Sequence, residues 1–216
     1  MARAKVGEME LEYETFGSPD DPALLLVMGL GAQLIHWPAK FCQMLADGGF
    51  QVIRFDNRDA GLSTKLDGVE VDFVALVAAA LEGREVSDTP YDLSDMSEDA
   101  FGILDDLGIE KAHIVGASLG GMIAQTMAIE RPSRVISLTS IMSATGTREI
   151  LGIPDESLAL LLAPAPTERS AYLEYQDQYA IWCSKKYFDA DLAREYAAAS
   201  YDRSHYPDGS GRQIAA

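Results

Sequence analysis

The sequence predicts an α/β fold, a mostly parallel β-sheet with helices on both faces, followed by a helical cap. Three observations predict it. Short strand-length runs alternate with stretches of helical periodicity, the pattern of parallel strands joined by crossover helices. One of those runs, Ala23–Met28, is apolar at every position, as a strand buried on both faces must be. Another, beginning at Ala112, passes through Gly-x-Ser-x-Gly at Gly116–Gly120 directly into a helix of small residues.

In chain order, Val6–Phe16 alternates loosely and predicts one or two entry strands, closed by the turn-forming run Gly17-Ser18-Pro19-Asp20-Asp21-Pro22. Ala23–Met28 then empties into Gly29-Leu30-Gly31-Ala32, where glycine lets the backbone approach a ligand closely. Trp37-Pro38 opens a helix that ends at Asp47-Gly48-Gly49, and Gln51–Phe55 is the next strand, followed by the turn Asp56–Ser63. Val69–Val86 predicts an inserted helical arm. Asp95 and Glu98 form a capping pair for a helix whose Met96, Ala100, Ile103, Leu104 and Leu107 recur at helical spacing and pack on the sheet; Gly108 ends it. The helix after Ser118 stops before Pro132, and Val135–Ile141 supplies another strand.

The character changes after about Ser143. Pro154, Pro164 and Pro166 interrupt the chain, and Asp155–Leu162, Thr167–Lys185 and Asp189–Tyr201 read as helices. The expected division is a core over residues 1–142 and a helical cap over 143–216. Tyr172, Tyr175, Tyr179 and Trp182 fall on one side of a helix at steps of three or four. Packing of that helix on its neighbour is the first expectation, and an aromatic lining for a cleft is the second.

Composition narrows the function classes. A chain of 216 residues, 48% apolar, is long enough and greasy enough to bury a sizeable core. Its net charge of −17, spread over many carboxylates, excludes nucleic acid and anionic membrane as expected partners. Cys42 and Cys183 stand far apart with no metal-ligand spacing, which predicts reduced thiols and no metal. The N-terminus lacks the apolar stretch of a signal peptide, and Val71–Leu81 contains Asp72 and is too short to span a bilayer, so a cytoplasmic protein is expected.

The chemistry concentrates at Gly116-Ala117-Ser118-Leu119-Gly120. This spacing suits a nucleophile elbow, a strand–turn–helix corner that lifts a serine oxygen above a sheet. A side chain at Gly116 or Gly120 would collide with the neighbouring strand or helix in so tight a turn. With Gly29-Leu30-Gly31 after one strand, Asp56–Ser63 after the next and Ser118 at the elbow, nearly the whole chain resembles the α/β-hydrolase superfamily. It is most similar to the esterase branch that includes aclacinomycin methylesterase-like and non-haem haloperoxidase-like proteins. The resemblance implies that Ser118 attacks the carbonyl carbon of a small-molecule ester to form an acyl-enzyme, and that the backbone N–H groups of Leu30 and Leu119 hold the oxyanion. It implies no metal and no organic cofactor. It also makes Asp56–Ser63 a structural turn, with Asp59 standing where the family more commonly has glycine. Serine at the nucleophile position argues against the dehalogenase and epoxide-hydrolase chemistries, while lactonase, carbon–carbon hydrolase and perhydrolase share the fold and stay open.

A serine hydroxyl needs a base, and the base needs a carboxylate to orient it. In this fold the order is serine, acid, histidine. After Ser118 the sequence has one histidine, His205, in a polar turn with no strand before it. His113 lies inside the strand leading to the elbow and is expected against the sheet's packing layers, and His36 borders the oxyanion loop in the wrong order for the base. The expectation is that the acid and the histidine lie beyond residue 216 together with the last core strands. Val135–Ile141 would then be an open apolar edge, paired with a second copy or a C-terminal fragment. The alternative is a catalytically incomplete ligand-binding or interaction protein on a hydrolase scaffold.

Overall fold

The computed structural model describes residues 2–72, 75, 89–145 and 154–216. Among them, the six strands β1 (Ala2–Val6), β2 (Met9–Phe16), β3 (Ala23–Val27), β4 (Gln51–Phe55), β5 (Ala112–Ala117) and β6 (Val135–Ile141) form one sheet in the order β1-β2-β4-β3-β5-β6. The pairs β1–β2 and β2–β4 are antiparallel, and β4–β3, β3–β5 and β5–β6 are parallel. The entry segment is thus a hairpin that begins earlier than the sequence suggests, with Val6 ending its first strand. Gly7, at φ +57°, makes the turn.

Every residue of β3 is buried, and its alternating side chains feed two cores. Leu25 and Val27 join Ile53, Phe55 and Ile114 on one face, under Met96, Phe101, Ile103 and Leu104 of α2 (Leu93–Asp106) and Ile123 and Met127 of α3 (Leu119–Glu130). Leu24 and Leu26 face the other way, with Val52, onto Trp37 and onto Cys42 and Ala46 of α1 (Ala39–Asp47). The apolar stripe expected for α2 is therefore core, as the spacing required. Its cap sits one turn earlier than expected. Asp92 is the N-cap, its side chain accepting from Asp95 N–H while the Asp95 side chain accepts from Asp92 N–H. Glu98, freed from that duty, pairs with Arg131. Both readings satisfy the three-residue spacing of a capping box, and Asp92, itself extended beside the buried Tyr91, is the residue that makes it.

The predicted arm over Val69–Val86 lies mostly outside the described residues. Beyond β6 the described chain is helical: α4 (Asp155–Leu162), α5 (Arg169–Asp177), α6 (Ala190–Ser204) and α7 (Pro207–Ala215). The long helix expected over Thr167–Lys185 instead ends at Asp177 and tightens into a 3₁₀ turn over Gln178–Trp182. Tyr179, Ile181 and Trp182, whose side chains lose rotamer freedom in an α-helix, concentrate there. The polar turn expected around His205 is a sharper corner: α6 runs to Ser204, and Pro207, which suits a first helical turn, starts α7 at once. This layer lies over the C-terminal ends of β3 and β5, where an open α/β sheet presents its crevice.

Candidate active site

Ser118 occupies the corner between β5 and α3 with φ 54° and ψ −122°, a region that non-glycine residues rarely adopt. Two glycines make the corner possible. A Cβ on Gly116 would lie 2.0 Å from Gly120 O, and one on Gly120 would lie 2.2 Å from Val27 O of the neighbouring strand. Helix and strand therefore touch backbone to backbone, as the motif spacing required. Ser118 N–H donates to Ile141 O at 2.9 Å, so β6 braces the corner from the far side. The Ser118 side chain is exposed to the cleft, and none of the described residues hydrogen-bonds with its hydroxyl.

The loop after β3 faces that corner. A Cβ on Gly29 would come within 3.0 Å of Ser118 Cβ and 3.5 Å of Ser118 Oγ. Residues 29–32 form a β-turn closed by Ala32 N–H donating to Gly29 O at 3.2 Å, with Gly31 at φ +63°. Among the described residues the backbone N–H of Leu30 in this turn has no acceptor, and neither has that of Leu119, the first residue of α3. Hydrogen-bond donors left free beside an exposed hydroxyl are what addition to a carbonyl group calls for.

What the sequence did not reveal is how this loop is held. Asp56, fully buried, accepts from Leu34 N–H at 2.6 Å and Leu62 N–H at 2.8 Å and pairs with Arg203 at 2.7 Å. Arg203 also donates to Gln33 Oε1, while Gln33 Nε2 donates to Ser200 O and Ser204 O, both at 2.7 Å. Asp59, at φ +65°, accepts from Arg212 at 2.9 Å through each oxygen, from Tyr91 O–H and from Leu66 N–H. That positive φ is one that glycine, asparagine and aspartate tolerate, and the three partners explain why aspartate serves here: its carboxylate anchors α7. Burial pushes the Tyr91 phenol up, and the Asp59 charge beside it adds to the effect. The only signal in the sequence was an acidic turn and, far downstream, two arginines in a chain short of cations.

A cleft of about 920 Å³ opens between the sheet's C-terminal edge and the helical layer. Its floor is formed by Gly29–Gln33, Ala117 and Ser118, and its roof by Tyr172, Tyr175, Tyr179 and Trp182. Both expectations for the aromatic stripe hold. Tyr172 and Tyr175 are buried and pack between helices, with Tyr175 O–H donating to Leu160 O and Ala163 O, and all four rings line the cleft. Burial raises the Tyr179 phenol, so the roof is uncharged there at neutral pH.

Two histidines, His36 and His205, line the cleft, and neither hydrogen-bonds with Ser118. His205 is sandwiched by Tyr172 and Tyr201, with centroids at 4.7 and 4.5 Å, and its Nε2 lies 2.8 Å from Pro166 O. His36 Nδ1 lies 3.1 Å from both Gln33 N and Gln33 O, and burial lowers its pKa, which keeps the ring neutral. His113 stands on a sheet face, edge-on to Phe50 and 2.7 Å from Ser137 Oγ, as expected for a packing role.

Comparison with known proteins agrees with this architecture. A family model described as the alpha/beta hydrolase fold matches residues 22–205. Rhodomycin D methylesterase DnrP of Streptomyces peucetius is 29% identical over 217 residues, covering 90% of this chain and 67% of that protein. Rhodomycin D methylesterase DauP of Streptomyces sp. is 35% identical over 135 residues, covering 62% of this chain and 39% of its own length. A putative carbamate hydrolase, RutD of Variovorax paradoxus, is 32% identical over 181 residues, covering 82% of this chain and 59% of that protein. The chain thus spans between about two fifths and two thirds of these relatives. Among solved structures, the 2-hydroxy-6-oxo-6-phenylhexa-2,4-dienoate hydrolase of a Rhodococcus strain superposes with a TM-score of 0.72 at 19% identity, over 99% of this chain and 69% of that one. With the family model matched over most of its length, and with its parallel sheet and serine corner arranged as described, the chain belongs to the α/β-hydrolase family.

Proposed function

We propose that these residues are the nucleophile-bearing part of a serine esterase acting on a small carboxylic ester. Ser118 Oγ attacks the carbonyl carbon, the N–H groups of Leu30 and Leu119 receive the oxyanion, the alcohol departs, and water hydrolyses the acyl-enzyme. Residues 143–216 act as the cap that closes over the acyl group. The observation that carries this reading is the strained, exposed Ser118 at the floor of the cleft, with the Gly29–Ala32 turn against it. The methylesterase relatives support the ester class. The general base and its carboxylate are assigned to chain outside residues 1–216, since none of the three imidazoles bonds to Ser118. The reading extends to a cytoplasmic protein in which Cys42 and Cys183 stay free thiols.

A fluorophosphonate probe, applied to the chain extended to include that base and carboxylate, tests the nucleophile. Intact mass is expected to show one adduct, lost in Ser118→Ala; labelling that persists in that variant would move the nucleophile elsewhere. A panel of methyl esters, lactones and peracid formation then separates esterase from lactonase and perhydrolase chemistry. The unpartnered Ser118 hydroxyl favours a second reading, a ligand-binding protein on a hydrolase scaffold. An extended reading frame that adds no aspartate and histidine, and no turnover, would decide for it.

A further inference from the structure

The oxyanion turn is clasped by a residue that no catalytic motif contains. Gln213 on α7 is buried, and its carboxamide does two things at once: Oε1 accepts from Gly31 N–H at 2.7 Å, and Nε2 donates to Arg58 O at 2.7 Å. Arg58 and the helix that carries Gln213 are each tied down by further contacts. Arg58 is gripped by Asp99 through bonds of 2.6 and 2.9 Å. Helix α7 is fixed by the Arg212–Asp59 pair and by the approach of Gly209, where a Cβ would meet Asp59 O at 2.1 Å.

The Gly31 N–H belongs to the central peptide of the Gly29–Ala32 turn, and that peptide is the turn's soft coordinate. Gly31 at φ +63° after Leu30, which is not among the positive-φ residues, corresponds to a type II turn. A flip of the Leu30–Gly31 peptide converts type II to type I, changing ψ of Leu30 by about 150° and exchanging its carbonyl with the Gly31 N–H. Glycine at position 31 offers little steric resistance to that flip. Gln213 does resist it, because the flipped turn would set the Leu30 carbonyl against Gln213 Oε1, acceptor against acceptor, at a half-buried contact.

We propose that Gln213 is a positioning residue of the oxyanion hole: bridging Gly31 N–H to Arg58 O, it fixes the Leu30–Gly31 peptide and so ties the turn, whose preceding peptide carries the Leu30 N–H, to α7 and to Arg58. This rests on the reading of Ser118 as nucleophile and Leu30 as donor. A carboxamide suits the role because it can accept and donate together. A hydrocarbon can do neither, and an ionised carboxylate can only accept.

The test is the kinetics of Ser118 phosphonylation, in the chain extended to include the assigned base and carboxylate, by a fluorophosphonate whose phosphoryl oxygen occupies the oxyanion position. Gln213→Met keeps the volume without hydrogen bonds, and Gln213→Asn keeps the amide but withdraws it by one methylene. Both are expected to lower the maximal labelling rate about 10- to 100-fold, with the probe's half-saturation concentration little changed. Gln213→Glu, which retains an acceptor for Gly31 N–H, is expected to recover part of the rate. Folded Met and Asn variants that label at the wild-type rate, or that change only the half-saturation concentration, would overturn the proposal. Loss of the fold in both variants would make Gln213 structural and overturn it equally. Failure of wild-type protein to label at Ser118 would instead remove the nucleophile reading beneath it.

Discussion

At the scale of single residues, the elbow is held together by what Gly116 and Gly120 lack. Ser118 is held in a backbone region that costs about 1–3 kcal/mol, and the surroundings supply that energy through close backbone contact of α3 with β3 and β5. Gly120→Ala would set a Cβ 2.2 Å from Val27 O and 2.7 Å from Met28 O, backbone atoms at the end of β3 and just past it that cannot rotate away. A loss at or above the upper end of about 1–3 kcal/mol is expected in urea unfolding, together with loss of fluorophosphonate labelling. Gly211→Ala on α7, with nothing within 4 Å of its Cβ, is the control and should gain about 0.5–1 kcal/mol. These glycines were legible in the sequence because the motif's spacing states the collision. Asp59 and Gln213 were not, since their roles depend on contacts across more than 150 positions of chain, which no local pattern encodes.

At the scale of elements, strands and helices were legible where periodicity and burial agree, as in β3, β4, α1 and the stripe of α2. Legibility failed where two local solutions were equally good: Asp92 and Asp95 satisfy the same capping rule, and the aromatic run after Asp177 prefers a tighter turn to a longer helix. The docking of α7 on the Asp56–Ser63 turn belongs to this scale too, and it hangs on a buried ion pair. The side chains of Arg212 and Asp59 are 4% and 0% exposed, so removing one partner strands the other's charge. Arg212→Met is expected to cost about 3–5 kcal/mol, whereas Asp59→Asn combined with Arg212→Met recovers most of it, asparagine being able to hold the φ of +65° that Asp59 adopts. Equilibrium unfolding of the single and double variants checks both. Equal losses in the two would show that the ion pair itself, rather than relief from an unpaired charge, stabilises the docking.

At the scale of the whole molecule, the sheet is asymmetric. On one side β1 and β2 close it with a hairpin in which Arg3 pairs with Glu10 and Glu12, a charged edge that discourages further pairing. On the other side β6 is exposed from Ile136 to Ile141 although it braces Ser118, and Ile136, Leu138 and Met142 are 45%, 39% and 78% exposed. A strand of this composition was expected from the sequence to be an open edge, and that expectation rested on the order of the motifs rather than on any feature of the strand itself. Backbone groups and apolar side chains left open together are a template for a further strand. A seven-residue edge falls short of the roughly 1,000 Å² that stable interfaces bury, so pairing between two copies is expected to be weak, with a Kd of about 1 µM or higher. The net charge of −17 opposes it further, and added salt should strengthen association by screening that repulsion. Sedimentation of the 216-residue chain is therefore expected to show concentration-dependent dimerisation that rises with salt, and Ile136→Lys with Leu138→Lys should abolish it while the far-UV circular dichroism stays unchanged. A monomer at all concentrations and salts, with no additional fragment in the intact mass, would show that the β6 edge does not recruit a strand.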